Sequence, residues 1–149
     1  MITFSVITIT YNAADVLQPT LDSVLMQDFP TVEHIIVDGA STDNTVTIAE
    51  AYKDMSDSAE NEHIVRIYSE PDKGLYDAMN KGLVRAKGDY VVFLNAGDRF
   101  PTADTLEKVA LAAEVGDGEE RPAVVYGNTD IIDEKAISCI IADCNRPKS

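Results

Sequence analysis

Two periodicities alternate along this chain. Ile2–Thr10 is a near-continuous run of apolar and β-branched residues, which predicts a parallel strand buried on both faces. Tyr11-Asn12 ends it. Leu17, Leu21, Val24 and Leu25 then recur at helical spacing and predict a helix that stops before Phe29-Pro30. Glu33–Val37 predicts a second strand. Val46, Ala49 and Ala51 mark the inward side of a helix around Asn44 to Lys53, and the polar stretch Asp54–Glu62 reads as a loop or frayed helix end. Ile64–Tyr68 predicts a third strand. Leu75, Ala78, Met79 and Leu83 predict a helix closed by Lys87-Gly88, and Tyr90–Leu94 a fourth, central strand. Beyond it, Thr105–Ala113 predicts a helix, Val115–Arg121 a charged loop and Ala123–Tyr126 a strand. Ile131–Ile141 is expected to hold one or two more.

Strand and helix taking turns in this way predict an α/β fold, a doubly wound and mostly parallel sheet with helices on both faces. Such a sheet gathers the loops after its strands at one edge. Four polar turns fall there: Tyr11-Asn12, Asp38 to Asp43, Glu70 to Gly74 and Asn95 to Asp98. Ligands of open α/β sheets bind at that edge, so these turns are where chemistry is expected.

Composition narrows the classes. The 149 residues suit one domain with a sizeable core, and 45% hydrophobic with 26% charged residues is ordinary for a globular protein. A formal net charge of −14 makes nucleic acid and bare membrane poor partners for the molecule as a whole. An anionic ligand then needs local help from backbone amides, a helix N-terminus or a divalent cation. Neither a signal peptide nor a bilayer-spanning run is recognisable, so a cytoplasmic location is expected. Cys139 and Cys144 form no metal or redox motif and are expected to be reduced, incidental thiols.

Several residues in the four turns could carry function. Asp38, at a strand end before Gly39, can accept a hydrogen bond from a nucleobase or ribose, or it can cap a turn. Ser41 and Asp43 read as caps of the next helix. Lys73 and Gly74 precede a helix whose N-terminal amides can face an anion. Asp98, in Asn95-Ala96-Gly97-Asp98, can ligate Mg²⁺ or Mn²⁺ if phosphates and water complete the sphere, or it is a turn residue before Arg99. His34 and His63 read as ordinary structural histidines. No Ser-His-Asp set, Gly-Lys-Ser/Thr phosphate loop, dinucleotide fingerprint or zinc-helix motif occurs.

Four segments taken together resemble the family 2 glycosyltransferases of the GT-A fold. They are Ser5–Asn12, Ile36–Thr45, Gly74-Leu75-Tyr76-Asp77-Ala78-Met79-Asn80-Lys81-Gly82 and Gly88-Asp89-Tyr90-Val91-Val92-Phe93-Leu94-Asn95-Ala96-Gly97-Asp98, with a weaker echo at Val124–Asp130. The resemblance implies sugar transfer from a nucleoside diphosphate donor to a saccharide or lipid-linked acceptor, with inversion, in polysaccharide or glycoconjugate synthesis. It implies that Thr10 and Tyr11 flank the nucleoside, that Asp38 holds the base and that Asp98 belongs to a Mg²⁺ or Mn²⁺ motif. From the helix start itself, independently of the resemblance, Lys73 and Gly74 are expected to meet the phosphates of such a nucleotide. A lipid-linked acceptor would keep the protein peripheral at the inner face of the membrane.

Two departures from the family pattern stand out. Asn95 takes the place of an Asp, and Gly97 leaves Asp98 as the lone carboxylate of its turn. No residue after Arg99 matches the family's catalytic base, although Asp130 and Asp133 are the nearest substitutes. The expectation is therefore a single nucleotide-sugar-binding domain over 1–149 without the family's acceptor region. A non-catalytic nucleotide-sugar-binding module is the alternative.

Overall fold

A computed structural model describes residues 2–114, together with the backbone of short strands at 124–126, 131–132, 135–136 and 140–143. The elements run β1 (Phe4–Thr10), α1 (Leu17–Leu25), β2 (Val32–Asp38), α2 (Thr45–Ser58), β3 (Ile64–Ser69), α3 (Leu75–Arg85), β4 (Tyr90–Phe93) and α4 (Thr105–Glu114). The short strands are β5 (Val124–Tyr126), β6 (Ile131–Ile132), β7 (Lys135–Ala136) and β8 (Ile140–Asp143). Six strands form one sheet in the order β3-β2-β1-β4-β8-β5, while β6 and β7 pair separately. β1 to β4 are parallel, whereas β8 runs antiparallel to both β4 and β5. This is the mostly parallel, doubly wound α/β sheet that the sequence predicts.

Alternation along the central strands divides the core. Phe4 and Val6 of β1 join Tyr90 and Val92 of β4 on the face covered by α4 and Val24 of α1. Ile36 of β2 packs on that side too, against Leu17 and Leu21 of α1 and Ala49 and Tyr52 of α2. Ile7, Ile35, Val37 and Val91 point the opposite way, toward Ala78 of α3. The chain builds outward from β1 through β2 to β3, then returns to place β4 on the other side of β1. A right-handed crossover in the reversed direction must lie on the opposite face, which is why α3 does. The β1/β4 junction is thus the topological switch point, where a crevice opens beyond the carboxyl ends of the strands.

Three details differ from expectation. α2 runs on to Ser58, because Ala49, Tyr52 and Ser56 continue one buried stripe at helical spacing; Ala51 lies off that stripe and is exposed. α3 meets the sheet through small residues, Ala78 and Gly82, and leaves Leu75 and Leu83 largely in solvent. The C-terminal strands enter the sheet antiparallel, and one of them, β8, pairs directly with β4. The loop predicted at Val115–Arg121, both cysteines, Asp130 and Asp133 lie outside the described residues.

Candidate functional site

The turn after β2 is built around Asp38, which is 1% exposed. Its Oδ2 accepts the Ser41 amide at 2.9 Å and the Ser69 hydroxyl at 2.7 Å, and its Oδ1 accepts the Ser41 hydroxyl at 2.5 Å. Ser41 can reach back because Ala40 takes a left-handed conformation, φ 62°, unusual for a residue with a Cβ. The Ser41 Oγ also accepts the Asn12 amide at 2.8 Å, and Asn12 Oδ1 accepts the Thr42 amide at 2.8 Å. These bonds stitch the turns after β1 and β2 together. Ser41 therefore clamps Asp38 and does not cap α2. Asp43 does hold the start of α2, accepting the Thr45 amide at 3.0 Å. The Thr45 hydroxyl, foremost, keeps its carboxyl below the usual range.

The turn after β3 closes on the same point. The Glu70 amide donates to the Asp38 carbonyl at 3.0 Å, and Lys81 Nζ donates to the Pro71 carbonyl at 2.9 Å. A Cβ built on Gly39 would lie 2.7 Å from Asp72 Oδ2 and 3.3 Å from the Tyr11 ring. Tyr11, Gly39 and Asp72 thus bring three turns into contact, and the Tyr11 ring is 63% exposed there. Lys73 and Gly74 stand at the start of α3 as expected. Their amides, however, already donate to Asp77 Oδ2 at 2.9 Å and Asp72 Oδ1 at 3.0 Å. The anions these two amides meet in this structure are the protein's own carboxylates.

The turn after β4 continues alongside β1, with the Ala96 amide donating to the Ile9 carbonyl at 3.1 Å. Gly97 adopts φ 99° and donates its amide to Thr20 Oγ1 at 2.9 Å, and the Asp98 amide donates to the Asn95 carbonyl at 2.9 Å. Asp98 is half-buried, and that burial pushes its carboxyl above the usual range. Thr10 is 2% exposed at the end of β1. Thr10 Oγ1 and Asn95 Oδ1 are both buried without a hydrogen-bond partner among the described residues. Buried polar atoms are nearly always paired, so two orphaned oxygens at the switch point call for a partner beyond the described residues.

Among the described residues, no group of three or more His, Cys, Asp or Glu side chains is arranged to hold a metal. Asn95 Oδ1 and the Asp98 carboxylate nonetheless give one turn two hard oxygen donors. That set fits Mg²⁺ or Mn²⁺, which keep several waters and take further oxygens from phosphate.

Other buried polar groups lie away from the four turns. His34 is fully buried, with Nε2 2.7 Å from Thr8 Oγ1 and Nδ1 2.7 Å from the Tyr52 hydroxyl. His63 Nε2 lies 2.8 Å from the Phe29 carbonyl, while its Nδ1, like Ser56 Oγ, is buried without a partner among the described residues. At the opposite, amino-terminal edge of the sheet, a cavity of about 280 Å³ is lined by Phe4, Glu33, Ile64 and Arg66. Glu33 there pairs with Arg66 and accepts the Ser5 hydroxyl and the Lys87 amide.

Sequence reasoning named Thr10, Tyr11, Asp38, Lys73, Gly74 and Asp98 for this edge, and all six lie at or beside the four turns. It missed Ser69 and Asp72. A signal for Asp72 was present in Pro71-Asp72-Lys73-Gly74, a run of turn residues with a carboxylate at its centre. Ser69 carried none, because its bond to Asp38 spans 31 positions.

Comparison with known proteins identifies the family. The model of glycosyl transferase family 2 matches residues 5–139, and the chain belongs to that family. A PGL/p-HBAD biosynthesis glycosyltransferase of Mycobacterium bovis is 41% identical over 128 residues, covering 84% of this chain and 46% of the relative. The chain thus spans about half the length of the curated relatives it matches. Among solved structures, the mannosyltransferase PcManGT from Pyrobaculum calidifontis, in complex with GDP-Man and Mn²⁺, superposes with a TM-score of 0.67 at 29% identity. That match covers 73% of this chain and 31% of the other. S. aureus TarS in complex with UDP-GlcNAc gives a TM-score of 0.65 at 27% identity over 85% of this chain and 39% of the other. The fold is that of the GT-A glycosyltransferases.

Proposed function

We propose that this domain binds a nucleoside diphosphate sugar where β1, β2, β3 and β4 end, and that the whole protein transfers the sugar, with inversion, to a saccharide or lipid-linked acceptor hydroxyl. The observation that carries the reading is the pair of orphaned oxygens, Thr10 Oγ1 and Asn95 Oδ1, at the switch point. The bound donors of PcManGT and TarS support a nucleotide sugar as the missing partner.

Each residue has a task in this scheme. The exposed Tyr11 ring offers a face on which a nucleobase can stack. Asp38 keeps one unused acceptor position on a carboxylate that has about four, enough for a single base or ribose hydrogen bond. Asn95 and Asp98 would hold Mg²⁺ or Mn²⁺, and such a cation stabilises charge developing on a leaving diphosphate. The Lys73 ammonium, exposed beside α3, would neutralise phosphate charge. The acceptor hydroxyl needs a base to take its proton, a role worth roughly 10²–10⁴-fold in rate. Asp130 and Asp133, the first carboxylates to try in that role, lie outside the described residues.

The test is a thermal-shift series with uridine and guanosine diphosphates, with and without Mn²⁺. A ligand at one hundred times its dissociation constant adds about 2.7 kcal/mol. For a chain of this size that raises Tm by roughly 5–11 °C. Absence of any shift with every nucleotide and metal combination overturns the donor-binding reading.

A further inference from the structure

PcManGT holds GDP-Man and TarS holds UDP-GlcNAc, so likeness leaves open which nucleobase this edge takes. The groups around Gly39 bear on that choice. A Cβ on Gly39 would stand 2.7 Å from Asp72 Oδ2, 3.4 Å from Asp72 Cγ and 3.3 Å from the Tyr11 ring. Gly39 is not among the glycines with positive φ, so space and not backbone strain keeps a side chain away. The Asp72 carboxylate fills that space, beside the exposed ring on which a base can stack. Thr10, the residue before Tyr11, is 2% exposed with its Oγ1 unpartnered among the described residues, an independent sign that something else completes this corner.

The two oxygens of half-buried Asp72 have different duties. Oδ1 accepts the Gly74 amide at 3.0 Å, an Asx-turn that leads into α3. Oδ2, the oxygen over Gly39, accepts no hydrogen bond among the described residues. Nearby cations are engaged elsewhere: Lys81 Nζ donates to the Pro71 carbonyl at 2.9 Å and pairs with Asp77 at 3.2 Å, and Arg85 stacks 4.1 Å over the Tyr68 ring. On the other side of Gly39 the Asp38 carboxylate accepts three hydrogen bonds from Ser41 and Ser69, which leaves one acceptor position of about four. The serine hydroxyls there are thus turned to Asp38. What remains around Gly39 is two carboxylates, and ionised carboxylates only accept.

Two neighbouring acceptors suit two neighbouring donors. Guanine carries N1–H and N2–H₂ side by side on its pairing edge. Uracil carries a single N–H between two carbonyl oxygens, while adenine and cytosine each carry an amino group beside a bare ring nitrogen. Any of these three sets a lone pair against one carboxylate. The Asn12 amide NH₂, whose Oδ1 is held by the Thr42 amide, can meet guanine O6 or uracil O4 alike and does not choose between them.

We propose that this edge selects a guanosine diphosphate sugar, with Asp38 and Asp72 accepting the N1–H and N2–H₂ of a guanine stacked on Tyr11, and that Asp72 sets the choice. The proposal rests on the donor-binding reading above and sharpens it. A site whose polar groups are arranged for particular hydrogens discriminates strongly against an analogue that lacks them.

Calorimetric titration of the chain with guanosine, inosine, uridine and adenosine diphosphates in Mn²⁺ tests it. Guanosine diphosphate should bind tightest, with uridine and adenosine diphosphates weaker by about tenfold or more. Inosine diphosphate, which lacks only the 2-amino group, should fall between. Asp72→Asn keeps the turn bond to Gly74 and places an NH₂ donor where Oδ2 stood. It should weaken guanosine diphosphate by about tenfold and uridine diphosphate not at all, so the ratio of the two collapses. Gly39→Ala displaces the Asp72 carboxylate without altering its charge and should shrink the same ratio. Thermal melts establish that both variants fold. If Asp72 only shapes the turn, both nucleotides weaken together and the ratio stays, which overturns its role. Uridine diphosphate binding the parent as tightly as guanosine diphosphate overturns the selection while leaving donor binding intact. Binding of no diphosphate at all overturns donor binding itself, and the selection with it.

Discussion

β2 and the turn after β4 bury polar groups at the same sheet, but they treat them differently. β2 gives each buried polar group a partner: Glu33 has Arg66 and Ser5, His34 has Thr8 and Tyr52, and Asp38 has Ser41 and Ser69. The β4 turn leaves Asn95 Oδ1 unmatched among the described residues and half-buries Asp98 at a cost visible in its raised pKa. Satisfied polar burial holds a fold in one arrangement. Unsatisfied polar burial costs stability and is tolerated where something else completes it. The first region is thus chiefly architecture, and the second is the part of the edge that the proposed donor would complete.

The contrast breaks most visibly with acid. His34 is held neutral, its pKa lowered to about 3 by burial and, secondarily, by His63. A lowered histidine pKa makes the stability linked to it complete above the unfolded value of 6.5 and progressively lost as pH falls toward 3. The loss should reach roughly 3–5 kcal/mol at the bottom of that window. Asp98 works in the opposite sense: with its pKa raised, its burial cost is present at neutral pH and relieved as the carboxyl protonates. Urea melts at a series of pH values should show stability falling through the His34 window, with the slope flattened in His34→Gln. A parent and variant with identical slopes would remove His34 as the cause.

Next in size is Asp38→Ala. It strands the Ser41 amide and the Ser41 and Ser69 hydroxyls, and should cost about 2–4 kcal/mol. Asp98→Asn should cost almost no stability, because it removes a carboxylate whose charged form burial already disfavours. If denaturant melts found the two variants equally stable, β2 and the β4 turn would not differ as argued.

Binding should reverse that order. Asp98→Asn should weaken metal-assisted binding of a nucleoside diphosphate by about tenfold or more, equivalent to about 1.4 kcal/mol, while sparing the bare nucleoside. Asp98 must be ionised to ligate a cation, so this assistance should fade at a higher pH than an ordinary aspartate would give. Calorimetric titrations of nucleoside and diphosphate, with and without Mn²⁺, measure both effects. Equal losses for the two ligands would deny Asp98 a metal role.

Much of this architecture is legible in the sequence, because strand runs and helical spacing are local signals. β1 to β4 fall within two residues of their expected bounds, and the four polar turns meet at the expected edge. What stayed hidden is non-local. The spacing of Leu75 and Leu83 announces a helix, yet period alone does not say that Ala78 and Gly82 face the sheet. The close approach of Gly82 to Ile7 decides that. Ser41 looks like a cap until it is seen folding back onto Asp38 through Ala40. The antiparallel entry of β8 beside β4 depends on a chain reversal with no local pattern to betray it.

The smallest expected effect compares the backbones of the two turns. Both need a left-handed residue, and β2 uses Ala40 at φ 62° while the β4 turn uses Gly97 at φ 99°. Gly97→Ala meets no steric obstacle, since its Cβ would lie 3.7 Å from the nearest atom, on Val16. The cost is therefore conformational alone, about 1 kcal/mol. Ala40→Gly relieves the matching strain but loosens the unfolded chain by a similar amount, so its net change should stay below about 0.5 kcal/mol. The pair separates turn geometry from turn chemistry. Gly97→Ala should weaken Mn²⁺-assisted diphosphate binding beyond its effect on stability, because it displaces Asp98, whereas Ala40→Gly should leave that assistance intact. If Ala40→Gly proved the more damaging to metal-assisted binding, the β2 turn would be the prepared region and the assignment of the two would have to be exchanged.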